Sequence, residues 1–258
     1  MTDATATGRV LLAVVGDTAT LTIDRAAKLN AIGPDMLADL ERHIVTLEGD
    51  RGVRVVIVTG AGERAFSVGA DINAWSALQP LDMWRSWVRE GHRIFGRFAR
   101  LRQPTIAAVN GYAFGGGLEL ALAADMRIAS EQAAFAMPET KIGTLPGWNG
   151  TSRLPEAVGI ARAKQLIFSG ARIDATLAER WGLVNEVVPP QALMSRAREL
   201  AAEIAANAPV AVQLAKAAID GDPSALEGFA GALAASADDG REGIAAFRER
   251  RTPRFTGQ

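Results

Sequence analysis

Hydrophobic positions along the chain change period several times, and each period predicts a different element. Val10–Val15 and Thr18–Ile23 are apolar-rich runs separated by Gly16-Asp17, which predicts a β-hairpin. After Gly33-Pro34, with proline at a helical first position, Met36, Leu37, Leu40, Ile44 and Leu47 recur on one helical face. Val55–Val58 is an unbroken β-branched run, the signature of a strand covered on both faces. Residues 82–99 read as a helix carrying Trp84, Trp87, Val88, Ile94 and Phe95, and the i, i+3 spacing of the two tryptophans predicts that both sit in the core. Thr105–Val109, Met126–Ala129 and Val184–Val188 add further strands. Beyond Pro189-Pro190 the chain becomes alanine-rich with helical periodicity, and three or four short helices are expected, broken at Asn207-Ala-Pro209, Gly221-Asp-Pro223 and Asp239-Gly240. The expected division is therefore residues 1–190, an alternating α/β core, and 191–258, a helical region; the strand–helix–strand spacing points to loose internal repetition.

Composition narrows the function classes. A chain of 258 residues makes one large domain or a core with an appendage. Its net charge of −1 gives no field favouring nucleic acid or an anionic membrane. Without cysteine there is no disulfide or thiolate chemistry, as expected of a cytoplasmic protein, and two histidines, His43 and His92, are too few for a His-rich metal site. The first residues read as neither a signal nor a transit peptide, and no apolar run is long enough to span a membrane. Neither a P-loop nor a G-x-S-x-G motif is present, so phosphoryl transfer and serine hydrolysis lack support.

Chemistry-bearing residues concentrate in a few places. Strand 55–58 leads into Gly60-Ala-Gly62-Glu-Arg-Ala65, formally a dinucleotide fingerprint. The fingerprint should open a helix, yet Phe66-Ser-Val-Gly69-Ala70-Asp71 continues as a glycine-bearing turn, so nicotinamide or flavin binding is disfavoured. That turn serves either to bring backbone close to a ligand or merely as a tight turn with Asp71 capping the next helix. Gly115-Gly116-Gly117 directly precede a helical pattern, which fits either very close packing or backbone N–H groups facing a ligand at the positive end of a helix dipole. Glu119 lies among Leu118, Leu120, Ala121 and Leu122, where a carboxylate is either a first-turn dipole partner or a tuned acid/base. Glu139, taken alone, reads as a surface residue or a helix start.

In order, these segments resemble the crotonase superfamily, which includes enoyl-CoA hydratases and isomerases. The matching residues are Asp24-Arg25, Lys28-Leu29-Asn30-Ala31, Ala65–Ile72, Asn110–Leu120, Met137-Pro138-Glu139, Gly143–Gly147, Arg153-Leu154, Ala178–Val184 and Arg241–Phe247. The resemblance implies an α/β, crotonase-like spiral of repeated ββα units, and a C-terminal helical region that builds trimers or hexamers. It implies an acyl-CoA thioester substrate, with coenzyme A part of the substrate and no separate metal or redox cofactor. It assigns an oxyanion hole to the N–H groups of Ala70 and Gly116, catalysis to Glu119 and Glu139, and a backbone position near the catalytic water to Gly147. Arg25, Lys28 and Leu29, with Ala70, Asp71 and Ile72, match the CoA-binding region, and Arg248–Arg251 either reaches CoA phosphates or forms a solvated helix face. Two carboxylates favour hydration of a 2-enoyl-CoA; a Δ3,Δ2-enoyl-CoA isomerase is the alternative, and an RNA-binding relative is disfavoured by the charge. One departure stands out: Trp148-Asn149 replace the usual small residues after Pro146-Gly147, which is expected to narrow the acyl pocket or alter water access.

Overall fold

A computed structural model describes residues 8–221 and 223–258. The antiparallel hairpin β1 (Arg9–Val15) and β2 (Thr18–Asp24) forms as expected and opens a six-stranded sheet. Helix α1 (Pro34–Gly49) follows, and then parallel strands β3 (Val55–Gly60), β5 (Thr105–Val109), β7 (Met126–Ser130) and β10 (Glu186–Val188), in the order β1-β2-β3-β5-β7-β10. A second sheet is made of strands only two or three residues long, in the order β4 (Ala65–Ser67), β6 (Tyr112–Phe114), β8 (Ala134–Ala136) and β9 (Ile173–Asp174).

The repeat is visible in this pairing. Each of β3, β5 and β7 lies in the large sheet and continues directly into β4, β6 or β8 of the small sheet, after which the chain turns helical. The helices are α2 (Ile72–Trp75), α5 (Gly116–Ala123) and a 3₁₀ turn, Glu139–Ile142. Successive units stack in parallel, so equivalent turns line up along one edge.

The unbroken apolar runs have the meaning their sequence predicts. In β3, Val56 and Val58 face the main core while Val55 and Ile57 face a second one, and β5 divides in the same way. Past α6 (Gly150–Val158), α7 (Ile160–Ser169) and α8 (Ala175–Trp181), the second core is closed by α9 (Leu193–Ala205), whose Leu193, Ala197, Ala201 and Ala205 lie against the large sheet. The expected 190/191 boundary thus runs between the sheet and a helix packed on it. Helices α10 (Pro209–Asp220), α11 (Pro223–Ser236) and α12 (Asp238–Glu249) follow and leave Ile219, Phe229 and Phe247 exposed.

Two expectations need correction. Asp239-Gly240 is not a break: both residues lie in the first turn of α12, and the chain breaks at Ala237. A Cβ at Gly240 would sit 2.3 Å from the carbonyl oxygen of Ala234, so this glycine permits a close approach between consecutive helices. Trp84 is not a core residue. Residues 80–99 run from a short helix α3 (Pro80–Asp82) through a π-helical stretch, Met83–Val88, into α4 (Arg89–Ala99). The wider π turn separates positions i and i+3 around the axis. Trp87 is buried while Trp84 is 65% exposed.

Candidate active site

The three glycines before α5 each have a separate structural reason. Gly115 adopts φ +51°, and a Cβ there would lie 2.6 Å from Oε1 of Glu139. A Cβ on Gly116 would meet the Trp148 ring at 2.8 Å, and one on Gly117 would lie 2.0 Å from the carbonyl oxygen of Ser67. Close packing and exposed backbone are therefore both realised here. Gly116 is the first residue of α5, so its N–H has no intrahelical acceptor.

Ala70 is brought alongside by a short parallel bridge to Ile32. Ile32 N–H donates to Gly69 O, and Asp71 N–H donates to Ile32 O. Ladder groups alternate in direction, so the N–H of Ala70 points the other way, toward α5. The ideal Cβ position of Gly116 is 3.4 Å from Ala70 N, and Gly69, at φ +92°, passes so close that its own Cβ would be 2.8 Å from Gly116 N. Neither N–H has an acceptor among the described residues.

Asn30 fixes this turn. Buried at φ +56°, it donates from Nδ2 to the carbonyls of Ala61 and Ala65, accepts from Arg25 N–H, and receives the Ser67 hydroxyl on its own carbonyl. Arg25 adds a second tie, donating from Nη1 to Asp71 Oδ2 at 2.6 Å and to Ala31 O at 3.2 Å. Asp71 also caps α2 through Asn73 N–H. Partial burial opposes ionisation of Asp71, but the bonds from Arg25 and Asn73 outweigh it and hold its pKa below the ordinary value.

Glu119 projects from the first turn of α5 into the interior and is 2% exposed. Its Oε1 accepts the N–H groups of Trp148 and Gly150, both at 2.7 Å. Among the described residues, no group bonds Oε2. Burial pushes its pKa from 4.5 to about 7; the Gly150 and Trp148 N–H groups oppose the shift, and the charge of Glu139 adds to it. Glu139 begins its 3₁₀ turn, half-buried, and its pKa is also raised by burial against the pull of its own backbone N–H. Its Oε2 is buried without a hydrogen-bond partner among the described residues.

Ala70, Ile72, Gly116, Glu119, Glu139 and Gly147 all line one cavity of about 140 Å³. Its remaining wall is apolar apart from Thr144, and includes Met83, Trp87, Val88, Leu145 and Trp148. The π-helical residues were not identified as site residues from sequence, because apolar positions in a helix carry no mark separating a ligand wall from a core. Arg25, Lys28, Leu29 and Asp71 lie outside the lining: Lys28 is exposed, and Leu29 sits at φ +51° in the turn before Asn30. Arg251 is paired with Glu242 and Glu249. Among the described residues, no group of three or more His, Asp or Glu side chains is placed to hold a metal ion.

The arrangement sets two backbone donors beside one buried and one half-buried carboxylate in a largely apolar chamber. The family model for enoyl-CoA hydratase/isomerase matches residues 16–258. The chain belongs to the enoyl-CoA hydratase/isomerase family. Among its relatives, the short-chain-enoyl-CoA hydratase of Clostridium acetobutylicum is 43% identical over 249 residues, covering 94% of this chain and 95% of that protein. The (E)-benzylidenesuccinyl-CoA hydratase of Thauera aromatica is 40% identical, covering 96% of this chain and 99% of that protein. The crystal structure of an enoyl-CoA hydratase from Bacillus anthracis superposes with a TM-score of 0.92 at 37% identity, covering 97% of this chain and all of that one. The α/β spiral implied by the sequence motifs is the fold of this family.

Proposed function

We propose that this protein is an enoyl-CoA hydratase that adds water reversibly across the 2,3-double bond of a 2-enoyl-CoA thioester, giving a 3-hydroxyacyl-CoA. The observation that carries the reading is the sharing of one cavity by Glu119, Glu139 and the unpartnered N–H groups of Ala70 and Gly116. Those two donors receive the thioester oxygen and stabilise the charge that develops there as the enolate forms; a single such donor contributes about 3 kcal/mol to lowering the barrier. Glu119, its Oε1 held by two N–H groups, presents Oε2 as general base to a water beside Gly147. Glu139, with no donor among the described residues besides its own backbone holding its anion, delivers the proton to the α-carbon. Dehydration runs through the same groups in reverse.

Several features support finer points. The Arg25–Asp71 pair holds the turn that presents Ala70, and Lys28, at the surface nearby, is the group of this region left to meet CoA phosphates. Exposed Phe229 and Phe247 on the C-terminal helices suit self-association into trimers or hexamers. No helix among the described residues is long and apolar enough to cross a membrane; with the cysteine-free composition, this supports a cytoplasmic location.

The test is absorbance at the enoyl-thioester band on mixing the protein with crotonyl-CoA, with chromatographic identification of the product. Formation of 3-hydroxybutyryl-CoA, lost in both Glu119→Gln and Glu139→Gln, is the expected result. Migration of a 3-enoyl double bond that depends on only one carboxylate would replace hydration with isomerisation.

A further inference from the structure

Trp148 contributes its backbone N–H to Glu119, which leaves the role of its side chain unexplained. The indole is 3% exposed and spans the space between two glycines on different elements. One edge lies over Gly116, where a Cβ would be 2.8 Å from its six-membered ring. The other abuts Gly91 of α4, where a Cβ would fall 2.1 Å from Nε1. Trp87 and Phe95 brace it, with ring centroids at 5.3 and 5.0 Å and tilted or edge-on geometry. The indole is therefore a fixed wall, and it fills the volume between the oxyanion donor and α4 that would otherwise extend the cavity. The space left, about 140 Å³, is close to that of an apolar protein cavity that holds one benzene ring, roughly six carbons.

We propose that Trp148, seated on Gly91, is the specificity-determining residue that stops the acyl pocket at about six carbons. The inference rests on the hydratase reading above and adds a substrate class to it: short 2-enoyl thioesters are accepted and long ones are refused. The two residues act in opposite directions. Removing the indole opens the pocket toward Phe95 and α4, whereas giving Gly91 a methyl group drives the indole into the remaining space.

The experiment measures kcat/KM for 2-enoyl-CoA esters of four, six and ten carbons. In parallel, calorimetry measures binding of the saturated butanoyl-, hexanoyl- and decanoyl-CoA, which needs no turnover. The wild-type protein is expected to lose at least tenfold between six and ten carbons. Trp148→Ala should raise the ten- to four-carbon ratio by at least tenfold, and Trp148→Phe, which preserves an aromatic wall and guards against misfolding of the alanine variant, should raise it less. Gly91→Ala should lower the six- to four-carbon ratio. Equal use of four- and ten-carbon esters by the wild type, or the same chain-length profile in wild type and Trp148→Ala, would overturn the proposal. Chain-length selection in binding without hydration of any ester would leave the proposal standing and remove the hydratase reading. No acyl-CoA binding at all would remove both.

Discussion

Glu119 makes the proposed catalytic site costly to fold, and the cost can be read from the pH dependence of stability. The group ionises at about 7 in the folded chain against 4.5 ordinarily, and each unit corresponds to about 1.4 kcal/mol. Below pH 4.5 the carboxyl is protonated whether the chain is folded or not, so burial imposes no charge penalty. As pH rises from there, the unfolded chain releases the proton first and the folded state loses relative stability. The loss is complete just above pH 7 and amounts to about 3 kcal/mol. Glu119→Gln stays neutral at every pH while keeping an oxygen for the Trp148 and Gly150 N–H groups. Any fixed cost of placing its amide nitrogen cancels when the two proteins are compared at several pH values. The stability difference, variant minus wild type, should therefore climb by about 3 kcal/mol between pH 4.5 and 8, equivalent to roughly 6–12 °C in Tm for a chain of this size. Urea unfolding followed by tryptophan fluorescence at matched protein concentration measures it. A difference that stays flat or shrinks over that range would show that Glu119 is not held against ionisation by its surroundings.

The remaining expectations concern activity and local architecture. Glu119→Gln and Glu139→Gln should each lower kcat for hydration by about 10²–10⁴-fold with little change in the circular dichroism spectrum. The hydration rate should rise with pH through an apparent pKa of about 7, as Glu119 becomes able to act as base, and a pH–kcat/KM profile without that limb would assign the base elsewhere. Gly115→Ala, at positive φ and under the Glu139 carboxyl, should abolish turnover and destabilise the chain, readable as paired losses in Tm and kcat. Asn30→Ala should cost about 1–3 kcal/mol in denaturant unfolding, since it takes the Nδ2 donor from the Ala61 carbonyl and the acceptor from Arg25 N–H, and leaves the buried Ala65 carbonyl with the longer bond from Asn110.

In the large sheet, β3 and β5 were legible because they are short apolar-rich runs covered on both faces, and β1 and β2 because Gly16-Asp17 separates two strand-like runs. Strands of the small sheet, such as Tyr112–Phe114, are too short to show any period and take their form from pairing with neighbours. Gly240 misled for a different reason: glycine near an alanine-rich helix reads as a stop, whereas here it allows two helices to meet. In the site, Glu119 was conspicuous as a carboxylate in an apolar run, and the motif order tied it to Glu139 and the glycines. Asn30 appeared only as a letter in a motif, because its function lies in bonds to residues about 30 positions away. Trp84 was misplaced in the core because the i, i+3 spacing does not anticipate the π turn that swings it out to the surface.

Beside the two carboxylates, four N–H groups mark the polar side of this site: Ala70, Gly116, Trp148 and Gly150. None belongs to a side chain, so at Ala70 and Trp148 a codon change other than one to proline leaves the donor in place, whereas at Gly116 and Gly150 a Cβ would press on the Trp148 ring and on Glu119. Where the position tolerates a side chain, heredity can resculpt what the chamber admits while the main-chain donor is passed on intact. At Trp148 both lie in a single residue, whose side chain faces selection for fit and whose main chain is shielded from it.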